Sequence, residues 1–330
     1  MTIPFPDFFV VGAPRCGTTS LCRYLAQHPR ICFSRPKEPH YFTGLVGPVG
    51  ADQIQAEYVE RCFAHRRPEH LCAGEGSVSN LYSEEAIGRI LALQRDARFI
   101  VQVRNPFDML RSYHQRLVYL LEEDQPDLAV AWSLQSARAR GERLPPQSWD
   151  PRLLQYAQVA SLGTALERIW KQVGRERCHV VVFDDLVADP SAQYQRTLAF
   201  LGVPSDGRTA FPRKQRSMAW RYRWLQSLLF RPPRSFARAA GVRLPGDAPK
   251  PPKPPRPGGK PSASRRILRR AGRVAGPVLK DARQRLVRFN RLDAPATPLP
   301  PDLRRELALV LDPEIRRLSE LLGRDLGHWA

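Results

Sequence analysis

The stretch VVGAPRCGTTSL, residues 10–21, decides the fold. Apolar residues run into it from Phe8, and Gly12 to Gly17 matches the glycine spacing of the phosphate-binding pattern G-x-x-x-x-G-K-[ST]. The pattern then departs from that rule. Thr18 stands where the lysine belongs, Thr19 and Ser20 follow as two further hydroxyls, and the loop's one cation is Arg15. A glycine turn between a strand and a helix presents backbone N–H groups and the positive end of the helix to an anion. Phosphate or sulfate suits such a loop, with Arg15, Cys16, Gly17, Thr18, Thr19 and Ser20 as its candidate contacts.

Working outward, strands are expected at 7–12, 31–34, 70–76, 98–103 and 178–183, from short apolar runs bounded by turn residues. Helices are expected at 18–28, 83–93, 106–121, 152–173 and 190–201, with Pro106 suited to a first helical turn. Strands alternating with helices imply an α/β fold, a three-layer sandwich around a mostly parallel sheet of the P-loop NTPase-like kind. This core is expected to span residues 1–211. Residues 212–292 read as a basic, Pro/Arg-rich and partly disordered insert, because "PKPPKPPRPGGKPSAS" cannot bury enough surface to fold alone. Residues 293–330 supply a C-terminal helix, expected from Pro301 to Leu322 and ended by Gly323, that packs back on the core.

The chain has 330 residues and a formal charge of +20. Residues 213–291 hold 23 Lys/Arg against two acids, Asp247 and Asp281, so the rest is close to neutral. Within this segment, 265–290 has the pattern of a basic amphipathic helix, a candidate contact for an anionic membrane surface. A nucleic-acid role is disfavoured, because Phe236 is the one aromatic among residues 232–288. The six cysteines lack any C-x-x-C pair and read as reduced thiols, with Cys62 and Cys72 the only local candidates for a bridge. No apolar run has spanning length and "FFVVGAP" is too short for a signal core, so the expectation is a cytoplasmic protein, peripheral at a membrane if the basic segment docks there.

A metal-dependent kinase or ATPase needs the loop lysine and an acid at a neighbouring strand end. Here the strand at 98–103 is followed by Arg104 and Asn105. A cation in that place points to an anion bound without a metal. Ser112, eight residues on, lies two helical turns after Arg104. A planar guanidinium and a hydroxyl can share one phosphate.

With these two motifs in order, the sequence resembles the sulfotransferases that use 3′-phosphoadenosine 5′-phosphosulfate, over roughly residues 5–211. "LLGRDLGHW" at 321–329 resembles the end of bacterial members. The family's K-x-G-T-T loop cradles the 5′-phosphosulfate and corresponds to Arg15-Cys16-Gly17-Thr18-Thr19. Its R-N-P-x-x-x-x-x-S stretch binds the 3′-phosphate and corresponds to Arg104-Asn105-Pro106 through Ser112. The resemblance therefore implies this donor as co-substrate, no metal, and an acceptor alcohol or amine on a sugar, glycolipid or other metabolite. Arg15 replaces the family's lysine. It keeps the charge that stabilises a leaving group but cannot give up a proton.

"RPKEPHYF" at 35–42 is similar to the segment of heparan-type sugar sulfotransferases that carries the catalytic glutamate, which implies Glu38 as base. His40 is the alternative, by analogy with the family's histidine bases, and Lys37 is an expected acceptor contact. "GEGSVSNLYS" at 74–83 resembles the next active-site segment, so Glu75 and Ser77 are expected to face the acceptor. Gly76 stands where heparan-type enzymes often carry a lysine. Phe183 is expected beside the adenine, and Arg213 and Lys214 at the 3′-phosphate. Two other readings compete: a P-loop-like kinase or nucleotidase, disfavoured by Thr18 and Arg104, and a membrane- or polyanion-binding protein with an inactive core.

Overall fold

The structure, a computed structural model, describes residues 4–43, 57–148, 150–212, 218–232, 281–294 and 298–330. The expected strands form one five-stranded sheet: β1 (Phe8–Val10), β2 (Ile31–Phe33), β3 (Cys72–Glu75), β4 (Arg98–Val103) and β5 (Cys178–Val182). The order is β2-β3-β1-β4-β5, and every pairing is parallel. All of β1 and all of β4 beyond Arg98 are buried, as an apolar strand covered on both faces must be. Phe8, Val10 and Ile100 pack with Leu21 and Leu25 of the helix Thr18–Ala26, and with Tyr194 and Leu198 of the helix Pro190–Leu201.

The chain divides into two compact units. The first joins residues 1–113, 155–215 and 297–330 and holds the whole parallel sheet. The second joins residues 114–154 and 216–296. In it β6 (Met218–Trp220) pairs antiparallel with β7 (Arg291–Asp293). The boundary at 113/114 falls inside the helix Pro106–Leu120.

Helix ends follow their punctuation. Asp189 accepts from the N–H of Ala192 ahead of Pro190–Leu201, and Gly202 closes that helix in the left-handed region. The last helix runs Pro301–Leu322 and ends at Gly323, also left-handed. It lies on the helix Leu162–Val173, where Glu314 accepts hydrogen bonds from the N–H and hydroxyl of Thr164 at 2.8 and 2.6 Å.

One expected helix is three. Residues 151–173 form a 3-10 turn (Pro151–Leu154), a short helix (Tyr156–Ala160) and the long Leu162–Val173. Gln155 and Ser161 break the run, with ψ of 75° and 64° far from helical values. Short helices at Val59–Phe63, Leu128–Ser133, Gln135–Ala139, Phe183–Ala188 and Arg223–Phe230 were not expected. Of the proposed basic helix at 265–290, residues 281–290 are described and are helical, and the rest lies outside the described residues.

Candidate functional site

The loop leaves the carboxyl end of β1, the strand with β3 on one side and β4 on the other. Loop and helix meet at Gly17, whose φ of 84° is one that L side chains rarely adopt. A Cβ there would also lie 2.9 Å from Leu186 and 3.1 Å from Phe183, on the helix after β5. Gly17 is the N-cap of Thr18–Ala26, and no side chain caps that end. The first-turn N–H groups of a helix have no partner within it. In this helix the N–H groups of Ser20 and Leu21 donate to the Gly17 carbonyl at 2.9 and 3.2 Å, and the hydroxyls of Thr18, Thr19 and Ser20 belong to the same first turn.

Because β4 neighbours β1, its exit comes to the loop. The Nε of Arg15 donates to the hydroxyl of Ser112 at 2.8 Å, joining two motifs 97 residues apart. Arg104 donates to the carbonyl of Arg15 at 3.2 Å, and its guanidinium lies 4.4 Å from the ring centroid of Phe183. Gln102 on β4 donates to the carbonyl of Cys16 at 3.1 Å. Five expected donor contacts, Arg15, Gly17, Arg104, Ser112 and Phe183, are thus one cluster. Cys16 is fully buried, and burial pushes its thiol up to about 12, so it contributes backbone and not chemistry. Arg213 and Lys214 lie outside the described residues.

The C-terminal segment bonds to residues next to Arg104 and Phe183. The side chain of Asn105 donates to the carbonyl of Trp329 at 3.0 Å, while its oxygen accepts from the N–H of Phe107. The indole of Trp329 donates to Asp184 at 2.8 Å, and Arg324 pairs with Asp185 at 2.6 Å. The residues flanking Arg104 and Phe183 are therefore held from below by the chain's last residues.

The second cluster follows β2. The amine of Lys37 is 2.5 Å from one carboxylate oxygen of Glu38, and Nε2 of His40 is 3.4 Å from the other. Nδ1 of His40 and the hydroxyl of Ser79 are 2.7 Å apart, and the backbone N–H of His40, a residue with φ of 54°, donates to Ser77 at 3.1 Å. The two candidate bases are thus neighbours in one run of polar contacts, both partly exposed.

Glu75 and Ser77 are fully buried beneath that segment. Tyr58 donates to one oxygen of Glu75 at 2.9 Å and Asn80 to the other at 3.1 Å. Burial raises the Glu75 pKa to about 7, against hydrogen bonds from Tyr58, Ser77 and Asn80 that favour the anion. Sequence reasoning missed Tyr58, Asn80, Ser79 and Gln102. Gln102 alone left a signal, a polar residue in the otherwise apolar RFIVQV.

Gly76 has no room for a side chain: a Cβ would sit 2.6 Å from the sulfur of Cys22 and 3.7 Å from Cε of Lys37. Lys37, which donates to the Gly76 carbonyl at 3.4 Å, brings an ammonium group to the position that lacks one. Cys22 belongs to the helix that begins at Thr18, four residues or about 6 Å along its axis from that start at 1.5 Å per residue.

Comparisons with known proteins agree with the resemblance drawn from the motifs. Residues 47–207 match the model of the Sulfotransferase family. The nodulation protein NoeE of Sinorhizobium fredii is 29% identical over 222 residues, covering 60% of this chain and 50% of that protein. Human heparan sulfate glucosamine 3-O-sulfotransferase 3B1 is 26% identical over 199 residues, covering 60% of this chain and 46% of that one. A 38-residue stretch is 50% identical to carbohydrate sulfotransferase 15 of Rattus norvegicus, 12% of this chain and 7% of that protein. The chain therefore spans half or less of the length of these curated relatives. A sulfotransferase from Alicyclobacillus acidocaldarius shares the fold, with a TM-score of 0.62 at 24% identity over 99% of both chains.

Proposed function

We propose that this chain, similar to sulfotransferases over residues 47–207, transfers a sulfuryl group from 3′-phosphoadenosine 5′-phosphosulfate to an acceptor hydroxyl. The observation that supports the reading is the bond between Arg15 and Ser112, because it brings the loop and the strand-end motif together beside a helix end that no side chain caps. On this reading the loop N–H groups and the hydroxyls of Thr18, Thr19 and Ser20 hold the 5′-phosphosulfate. Arg104 and Ser112 hold the 3′-phosphate, and Phe183 lies by the adenine. Glu38 takes the proton as the acceptor oxygen attacks sulfur. The sulfur–oxygen bond to the 5′-phosphate breaks, and 3′-phosphoadenosine 5′-phosphate leaves with that electron pair, its charge met by Arg15. Lys37 and His40 orient the two oxygens of Glu38. Glu75 and Ser77 act from below, by fixing the 37–40 segment rather than by touching the acceptor.

The acceptor class we favour is a carbohydrate hydroxyl. The named substrates of the heparan and carbohydrate relatives support it. A reducing, cytoplasmic setting fits the six free thiols.

Titration with 3′-phosphoadenosine 5′-phosphate in the absence of Mg tests the donor site. Binding is expected to exceed that of adenosine 5′-phosphate, and Arg104→Ala is expected to cost roughly 1.5–3 kcal/mol, the worth of a hydrogen bond to a charged group. Equal affinity for the two nucleotides would sink the assignment. Turnover with labelled donor tests the base: Glu38→Gln should keep donor affinity and lose most turnover, whereas a dead His40→Ala beside an active Glu38→Gln moves the base to His40.

A further inference from the structure

Among the described residues, the second unit carries an apolar surface left exposed to solvent. The helix Arg223–Phe230 buries Leu225, Gln226 and Leu229 on its inner side. Its outer side shows Trp224, 67% exposed, and Leu228, one turn on and 47% exposed. A helix between core and water would carry polar residues there. Beside it, the helical residues 281–290 leave Leu286 and Phe289 exposed, and Leu292 is exposed on β7. These are not scattered. Tyr222 lies 6.4 Å from Trp224 and stacks on Phe289 at 6.4 Å, so three rings form one row with a leucine a turn from either end.

The row is held in place from beneath. Asn290 is fully buried; it accepts from the N–H of Tyr222 at 2.8 Å and donates to the Tyr222 carbonyl at 3.1 Å and to Gln226 at 3.0 Å. Gln226 in turn donates to the Tyr119 carbonyl at 2.7 Å. The exposure of the rings is therefore part of a fixed surface. Around it stand Arg221, over the Phe289 ring at 5.1 Å, with Arg223, Arg285, Arg288 and Arg291, all exposed. Two acids share the surface. Asp281 pairs with Arg285 at 2.9 Å and Asp293 with Arg291 at 3.7 Å.

We propose that the Tyr222–Trp224–Leu228–Leu286–Phe289 face docks on an anionic lipid surface, its rings and leucines entering the interface and its arginines meeting the headgroups. Charge complementarity selects the partner, since the flanking sequence 213–291 holds 23 cations and two acids. The side chains then separate lipid from soluble polyanion. A sugar or nucleic-acid chain offers nothing to Leu228, Leu286 and Leu292, whereas aliphatic and aromatic side chains both gain from the boundary of a bilayer. This goes beyond the sulfotransfer reading and stands or falls independently of it. It also sets the contact at residues 221–231 and 281–292.

The test is co-sedimentation of the full chain with vesicles of phosphatidylcholine alone and with about 30% phosphatidylserine, in low and high salt. Trp224→Ser/Phe289→Ser and the single variant Leu228→Gln remove apolar exposure without touching Asn290. Circular dichroism and thermal melting report that each variant is folded. The expected result is binding to the anionic vesicles, at least tenfold weaker for the double variant and several-fold weaker for Leu228→Gln, with the spectra and melts unchanged. Equal vesicle binding by all three proteins would overturn the proposal and leave charge alone as the cause. So would failure to bind anionic vesicles, or a soluble heparin chain displacing the protein from them with undiminished effect on the variants.

Discussion

Glu75 and Gly76 show how the site is set from beneath. Glu75 is buried among Tyr58, Ser77 and Asn80 with its pKa raised by burial to about 7, above the ordinary carboxylate value. Between those two pH values the folded chain binds a proton that the unfolded chain has released. The stability from that proton is full below the ordinary pKa and is lost as pH rises through about 7. Denaturant melts from pH 5.5 to 8.5 should therefore show stability falling as pH rises, with the slope reduced in Glu75→Gln, which cannot ionise. An identical slope in that variant would remove Glu75 as the cause. At Gly76 the close sulfur of Cys22 predicts that Gly76→Ala costs about 1–3 kcal/mol by overpacking. Gly76→Lys, the residue common in heparan-type enzymes, should cost more and displace Lys37. A Gly76→Lys protein with wild-type stability would show that the helix yields more easily than its buried position implies.

Elements were legible where local chemistry punctuates them. The helix Pro301–Leu322 has the bounds its proline and glycine imply, whereas Gln155 and Ser161, which divide 151–173, leave no mark in an unbroken helical pattern. The site was legible in the same uneven way. Lys37, Glu38 and His40 are near neighbours in sequence, so their cluster could be read directly. The partners of Glu75 come from two further segments, and nothing local reveals them. The loop and the Arg104–Ser112 motif were each readable, but their union depends on β4 lying beside β1, a crossover of the sheet. The C-terminal turn is the element whose role the structure adds. Trp329 is 2% exposed and links Asn105 to Asp184, the residues next to Arg104 and Phe183. Trp329→Ala should cost about 3–5 kcal/mol, as large aromatic truncations do. It should also weaken nucleotide binding under conditions where the fold persists. A destabilised variant with unchanged nucleotide affinity would confine the turn to stability.

Across the whole molecule the dominant quantity is a formal charge of +20, concentrated in 213–291. Two electrostatic contributions to donor binding can be separated by their range. Arg15 and Arg104 lie within contact distance of the proposed phosphates, where salt screens weakly. The remaining arginines act as sources of a long-range field, which salt screens over a Debye length of about 8 Å at physiological ionic strength. Long-range charge raises the rate of encounter, whereas contacts set the rate of departure. Stopped-flow binding of 3′-phosphoadenosine 5′-phosphate should therefore show an association rate that falls several-fold between roughly 20 and 300 mM salt, with dissociation moving much less. Replacing Arg285, Arg288 and Arg291 with glutamine should lower the association rate at low salt and leave dissociation unchanged. Arg104→Ala should instead speed dissociation at every salt concentration. If the triple variant sped dissociation as Arg104→Ala does, those arginines would be contacts of the nucleotide and not sources of a field. The basic segment would then belong to the active site.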